Sequence, residues 1–359
     1  MHPRLSIWAP LPPGVYFRRP LERLPFPLEE PNCRIMAWAR HGVWHGVRGL
    51  GLSEGDEVLA PAWHHGSEIE ALARAGVRAR FYDCAPESLA PDPAELEGLL
   101  GERVRALYLT HALGFPQDAD RWRKWCDARG MLLIEDAAQA WLADHDGHPV
   151  GSAGDLAFFC LYKTFGLPEG AAMIQGSPPE PVGLDRRLGA LELARRHGMW
   201  LAGRSSLAYA ASAPLRRPKP YDPARDFELR DPSSAPWAHT PFVLRRIGDP
   251  AAALQRRENY AALLHGLGDL VAEPFAELPG GASPFVFPVA VDDKPGMLAG
   301  LKEHGIGGLD LWAVPHPSLA VECFPGAAAR RARLVGLPVH QELRQADIER
   351  IAVAVRTCA

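Results

Sequence analysis

Lys163 stands at the end of the apolar run Asp155–Tyr162 (DLAFFCLY) and just before the turn Thr164–Gly170. Desolvation disfavours an ammonium in apolar surroundings, and a lysine kept there can form a Schiff base with a carbonyl compound. Arginine cannot form that adduct. Only five of the 39 basic residues are lysines, namely Lys124, Lys163, Lys219, Lys294 and Lys302, so a lysine in such a setting calls for a reason. The plainer alternative is a strand-end lysine snorkelling to water. Asp136 follows the wholly apolar stretch Met131–Ile134, within Glu135-Asp136-Ala137-Ala138-Gln139-Ala140. A carboxylate there can pair with a protonated ring nitrogen, and the small alanines permit close approach to the backbone. A helix-capping aspartate after a strand is the alternative.

These two residues need elements to position them. A helix is expected over about Met36–Leu52, ending in Ser53-Glu54-Gly55-Asp56. Strands are then expected over Glu57–Ala62, Arg78–Asp83, Val104–Thr110 and Met131–Ile134. They alternate with helices over Ser67–Ala75, Pro93–Leu100 (capped by Asp92) and Asp118–Arg129. This order implies an α/β fold with a mostly parallel central sheet covered on both faces, with ligands at the carboxyl ends of the strands. Asp136 lies at one such end. A buried-strand run over Asp155–Tyr162 leads into Lys163, and another strand covers Ala171–Ile174. A buried aspartate and a distant lysine on neighbouring strands are the arrangement a pyridoxal phosphate enzyme needs.

Outside this region, residues 1–35 are rich in Pro and Arg and read as an irregular arm. Residues 176–240 are broken up by Pro and Arg. Pro214, Pro218, Pro220, Pro223, Pro232 and Pro236 argue against long elements over 214–240. Helices are expected over Asp249–Leu267, Pro295–Gly305 and Gln345–Val355, with a strand over 284–292. The division is therefore a large α/β domain over 1–235 and a small C-terminal α+β domain over 236–359.

Composition excludes several classes. Of 359 residues, 47% are hydrophobic and 23% charged, as in ordinary globular chains, and the net charge of −4 disfavours a nucleic-acid binder. No apolar run suggests a membrane span or a signal peptide, so a cytoplasmic location is expected. The six cysteines are scattered without a Cys-x-x-Cys pattern, which argues against disulfides or a thiolate zinc site. His64, His65, Glu68, His111 and Asp136 could serve a metal hydrolase. However, no His-Glu-x-x-His pattern is present, and no metal is expected.

The stretch 131–174 resembles the DegT/DnrJ/EryC1/StrS family of sugar aminotransferases. The residues that carry this are Leu133–Ala140, Gly151-Ser152-Ala153-Gly154-Asp155, Phe158-Phe159, Lys163 and Glu169-Gly170. Gly55-Asp56-Glu57-Val58 with Pro61, Thr110–Gly114 with Pro116, and Leu337-Pro338-Val339-His340 extend the likeness over nearly all of the chain after residue 36. The resemblance implies a fold-type-I pyridoxal phosphate transferase and a homodimer with its active sites at the interface. It also implies transamination from an amino acid, glutamate above all, to a keto sugar, nucleotide-linked, in aminosugar, polysaccharide or secondary-metabolite biosynthesis.

By position, the resemblance makes Lys163 the residue of the internal aldimine and proton shuttle. Asp136 becomes the partner of the pyridine nitrogen, Gln139 a cofactor contact, and His65 the ring-stacking group. The family's Gly-Thr at the phosphate-binding helix aligns with Ala39-Arg40, where backbone N–H groups and the Arg40 guanidinium would hold phosphate instead. The family's serine five residues before the lysine is Phe158 here; Cys160 is a further candidate beside the phosphate, with a plain buried cysteine as the favoured alternative. The family's segment that reaches the partner site and the sugar is replaced by something like Ser233–His239. The competing reading is an altered relative with a non-sugar substrate, or a non-catalytic sensor or binding protein. The presence of Lys163, Asp136 and Gln139 together argues against the latter.

Overall fold

The alternation of apolar strand runs and amphipathic helices is realised in the computed structural model, which describes residues 3–84, 87–185, 189–211 and 222–359. Its strands are β1 (Cys33–Met36), β2 (Glu57–Pro61), β3 (Arg78–Tyr82), β4 (Val104–Thr110), β5 (Leu132–Asp136), β6 (Asp144–His145), β7 (His148–Pro149), β8 (Leu156–Cys160), β9 (Ala171–Gln175), β10 (Phe287–Ala290), β11 (Leu309–Asp310) and β12 (Leu334–Leu337). The helices up to the strand–helix repeat's end are α1 (Ala39–Gly49), α2 (Ser67–Arg74), α3 (Pro93–Leu99), α4 (Ala119–Asp127) and the single turn α5 (Leu161–Thr164). They are followed by α6 (Ala190–Arg204), α7 (Ser206–Ala211), α8 (Pro223–Phe227), α9 (His239–Ile247), α10 (Ala251–Leu267), α11 (Lys294–Glu303), α12 (Pro325–Arg333) and α13 (Gln345–Cys358).

Seven strands form the main sheet in the order β1-β9-β8-β5-β4-β2-β3. β3, β2, β4, β5 and β8 are parallel neighbours; β9 runs antiparallel to β8 and to β1. The fold class expected from the sequence is therefore the one observed. Strands covered on both faces can be apolar throughout, and every residue of β8 is buried. Helix α1 lies close on one face: a Cβ at Gly46 would come within 2.5 Å of the Leu156 methyls, so glycine lets helix and sheet meet. On the other face, Leu107, Leu109 and Leu133 pack with Trp122 and Cys126 of α4.

β10, β12 and β11 form a small antiparallel sheet, with α10, α11 and α13 packed beside it. α9, just beyond residue 235, packs Val243, Leu244 and Ile247 into a cluster with Trp141, Phe159 and Phe165 from the main-sheet region.

Some local expectations change. The arm over 1–35 contains the start of β1 and a 3-10 turn over Pro13–Phe17. Its Leu5 pairs with Ile306 of the small-sheet region, so the arm is ordered by tertiary contacts that its own sequence does not announce. Residues 190–204 form the long helix α6 within the stretch read as broken. Lys219, Pro214, Pro218 and Pro220 lie outside the described residues. The strand expected over Asp155–Tyr162 stops at Cys160, because the chain turns: Leu161 N donates to Gly170 O at 3.0 Å and Phe165 N to Leu161 O at 3.0 Å.

Candidate active site

Asp136 is the last residue of β5, in register with Thr110 of β4 and Phe158 of β8, at the carboxyl end of the parallel strands. It is buried. One carboxylate oxygen accepts from the Tyr108 hydroxyl at 3.0 Å and the other from Ala138 N at 2.9 Å. Burial, with the negative Glu68 nearby, pushes its pKa up to about 6. Two neutral donors do not fully compensate a charge held away from water, and a cation at this carboxylate would.

Lys163 sits on α5, one turn beyond the end of β8, not on the strand itself. Its Nζ lies 5.7 Å from the centre of the Phe285 ring. Its positive charge acts on Asp136, Cys160 and His65, which places these four residues in one electrostatic neighbourhood. The two residues singled out for chemistry, 27 positions apart, thus converge because β5 and β8 are adjacent.

His65 follows β2 on the loop into α2. Its ring meets Phe227 edge-on at 5.8 Å, and its Nδ1 lies 3.2 Å from the Ser67 hydroxyl. Burial brings its pKa down to about 4, with the charges of Lys163 and Arg40 adding to the shift. At neutral pH the imidazole is uncharged, as a ring-stacking group should be. Glu68 holds this loop: its carboxylate accepts from His65 N at 3.0 Å and Gly66 N at 3.2 Å.

Gln139 is buried, and its side-chain oxygen accepts from Leu113 N at 2.7 Å. Leu113 has φ 55°, so this contact steadies a strained turn at the end of β4. Cys160 is buried at the end of β8, and burial raises its thiol pKa. It is thus a neutral thiol among Lys163, Asp136 and Arg40. Ala39 opens α1, whose N-cap Trp38 makes no side-chain cap bond. Arg40, in the same turn, donates to Asp226 O at 2.9 Å and Glu228 O at 2.6 Å. The Arg40 guanidinium therefore has a backbone anchor on the segment leading to Ser233–His239, and its charge still bears on His65 and Cys160.

His111 and Glu135 form a separate buried unit. Gln117 N donates to His111 Nδ1 at 3.0 Å, so Nε2 carries the proton and donates to Glu135 at 2.9 Å. Gly151, Ala153 and Gly154 also donate backbone N–H groups to Glu135. This fixes the Gly151–Asp155 turn between β7 and β8. His64 is likewise bound through Nδ1 to Pro61 O at 2.9 Å. Among the described residues no three His, Cys, Asp or Glu side chains gather as a metal site, and no helix is long and apolar enough to cross a membrane.

Sequence reasoning missed Tyr108, Glu68 as a loop clamp, Tyr162 and Arg256. Tyr108 is the lone hydroxyl-bearing aromatic inside the aliphatic run VRALYLT, a signal that was available. Tyr162 and Trp38 rings meet edge-on at 5.5 Å, and Trp8 of the arm lies 6.2 Å from Tyr162 and 5.4 Å from Phe285. Nothing local in the arm announces that placement.

Residues 39–178 match the model of the DegT/DnrJ/EryC1/StrS aminotransferase family, so the resemblance read from the residues holds over this segment. The dTDP-3-amino-3,4,6-trideoxy-alpha-D-glucose transaminase of Streptomyces venezuelae is 33% identical over 135 residues, 37% of this chain and 36% of that protein. The erythromycin biosynthesis sensory transduction protein EryC1 of Saccharopolyspora erythraea is 34% identical over 153 residues, 42% of each. The matched segment thus spans well under half of these relatives. Among solved structures, Streptomyces venezuelae DesV in complex with a ketimine intermediate superposes with a TM-score of 0.66 at 23% identity, covering 90% of this chain and 84% of that one. A putative sugar aminotransferase of Streptococcus pneumoniae in its PMP form superposes with a TM-score of 0.71 at 16% identity, covering 99% and 97%. The fold is the one these structures share.

Proposed function

We propose that this chain, whose residues 39–178 match the DegT/DnrJ/EryC1/StrS family, is a pyridoxal phosphate-dependent aminotransferase. In this reading it moves an amino group from an amino acid, glutamate above all, to a nucleotide-linked keto sugar. The observation that carries the reading is the meeting of Lys163 and the buried Asp136 at the carboxyl ends of adjacent strands β8 and β5.

The residues present fit the cofactor. Asp136 is a buried carboxylate short of a cation, which a protonated pyridine nitrogen would provide. The uncapped first turn of α1 and the Arg40 guanidinium offer donors for a phosphate. When bound, pyridoxal phosphate supplies an aldehyde for amines and an electron sink for carbanions. Asp136 would keep the ring nitrogen protonated, and Tyr108, donating to the same carboxylate, would hold its orientation. Lys163 would anchor the cofactor through its amine and carry the proton to and from the substrate carbon. His65 would cover one face of the ring as a neutral imidazole, and Gln139 would shape the loop after β5. Help aimed at charge that develops in the transition state is what raises the rate, and Asp136 would give it by keeping the ring nitrogen protonated.

Borohydride reduction of the protein incubated with pyridoxal phosphate, followed by peptide mass spectrometry, tests this. A pyridoxyl adduct on Lys163 is expected. No adduct on any lysine would overturn the reading. A second reading, a binding or sensory protein without turnover, is favoured by one feature: Arg40 is anchored to backbone carbonyls in the place of the family's Gly-Thr. Absence of the adduct on any lysine would bring this reading forward, with the altered phosphate loop at Ala39-Arg40 as its cause.

A further inference from the structure

Arg256 is a fully buried arginine on α10, and among the described residues all the acceptors it reaches are neutral. Its Nε donates to Gln341 Oε1 at 2.9 Å, and one terminal nitrogen donates to Pro284 O at 2.8 Å. The other donates to Thr164 O at 2.6 Å and Lys163 O at 3.4 Å. Gln341 adds a bond of its own from Nε2 to Thr164 O at 3.1 Å. Burying a guanidinium without a counter-charge is costly, and here burial brings the pKa of Arg256 down to about 9.

The carbonyls it caps explain the placement. α5 is a single turn, so the carbonyls of Lys163 and Thr164 have no helical N–H ahead of them. Pro284, held by the same guanidinium, precedes Phe285, against whose ring the Lys163 amine lies. One planar fork thus ties the backbone that carries Lys163 to the turn that supports its side chain. Lysine could not span these acceptors, because its ammonium is a single point.

We propose that Arg256, seconded by Gln341, is the positioning residue for Lys163, fixing the direction from which its amine meets a carbonyl. This rests on the reading of Lys163 as the cofactor-bearing lysine.

The test follows the rate at which pyridoxal phosphate becomes trapped by borohydride on Lys163 of the apoprotein, with Lys124 as internal reference. Thermal unfolding is recorded alongside. Wild type is compared with Arg256→Lys, Gln341→Ala and Asn259→Ala. Asn259 lies on the same helix but donates to the carbonyls of Val339 and His340, not to the lysine segment. Arg256→Lys should slow trapping on Lys163 by roughly 100-fold, the scale of an ångström-sized misplacement. Gln341→Ala should slow it less, and Asn259→Ala should not slow it. Trapping of Arg256→Lys at the wild-type rate overturns the proposal. So does equal slowing in Asn259→Ala, which would reduce the effect to general stability. If Arg256→Lys does not fold, Gln341→Ala decides, and a wild-type rate there overturns it. Absence of the adduct in wild type instead overturns the cofactor reading, and this proposal with it.

Discussion

Asp136 is an acid whose surroundings favour the proton over the charge. Its folded-state pKa of about 6 lies above the ordinary 3.8. The folded protein therefore binds that proton more tightly than the unfolded chain does, and the stability of the cofactor-free protein falls as pH rises from about 4 to 6. Asp136→Asn should remove this slope. Its melting temperature at pH 7 should exceed that of the wild type, by an amount on the order of 2 kcal/mol in stability, as read by calorimetry across that pH range. The same variant should lose the electron sink and fall by orders of magnitude in amino transfer. Near-normal turnover would refute the role given to this carboxylate. The two residues that the sequence singled out and the structure brings together, Lys163 and Asp136, share one property: each is a chargeable group beside a run of apolar residues. Arg256, between Gln255 and Arg257, carried no such signal, and its burial shows only in the fold. It lies with Ala252, Ala253, Asn259, Tyr260, Leu263 and Leu267 on the buried stripe of α10, and a charge on such a stripe marks an interior task.

At the scale of elements, the site depends on how the chain turns after β8. α5 lifts Lys163 off the strand, and the loop returns to β9 through Glu169 and Gly170. The buried Glu169 accepts from the Thr240 hydroxyl and from Trp237 N, clamping α9 to this loop. Gly170 has φ 118°, and a Cβ there would come 2.8 Å from the Thr240 methyl. Gly170→Ala should therefore cost roughly 1–3 kcal/mol, from backbone strain and the displaced contact. Urea unfolding would measure it; a variant as stable as the wild type would show that the loop tolerates a side chain. The clamp gives Glu169-Gly170 a structural meaning that its sequence alone does not carry.

At the scale of the whole molecule, Phe17, Leu191 and Leu207 are 91%, 82% and 79% exposed, an unusual placement for large apolar side chains. Two of these lie on α6 and α7. A homodimer that covers them is the proposed assembly. Light scattering should give a dimer mass, and Leu191→Asp with Leu207→Asp should shift it toward a monomer. A wild-type monomer at micromolar concentration would refute the assembly. The arm is likewise understood only at this scale. Backbone bonds join Leu5 to Gly305 and Gly307 at 2.9 and 2.8 Å, and they bring Trp8 beside Tyr162 and Phe285.

The sequence by itself determined the mostly parallel sheet and the order of strands and helices from α1 to β5, and it singled out the lysine and the aspartate. Those depend on local periodicity and on single chargeable residues beside apolar runs, which a linear reading can register. Only the tertiary structure decided that β8 ends at Cys160, that Tyr108 donates to Asp136, that the arm reaches Tyr162 and Phe285, and that Arg256 holds the backbone of Lys163. Each of these is a contact between segments far apart in the chain. The physical reason is that burial and hydrogen-bond satisfaction are settled between elements after they pack, whereas propensity and pattern are settled within them.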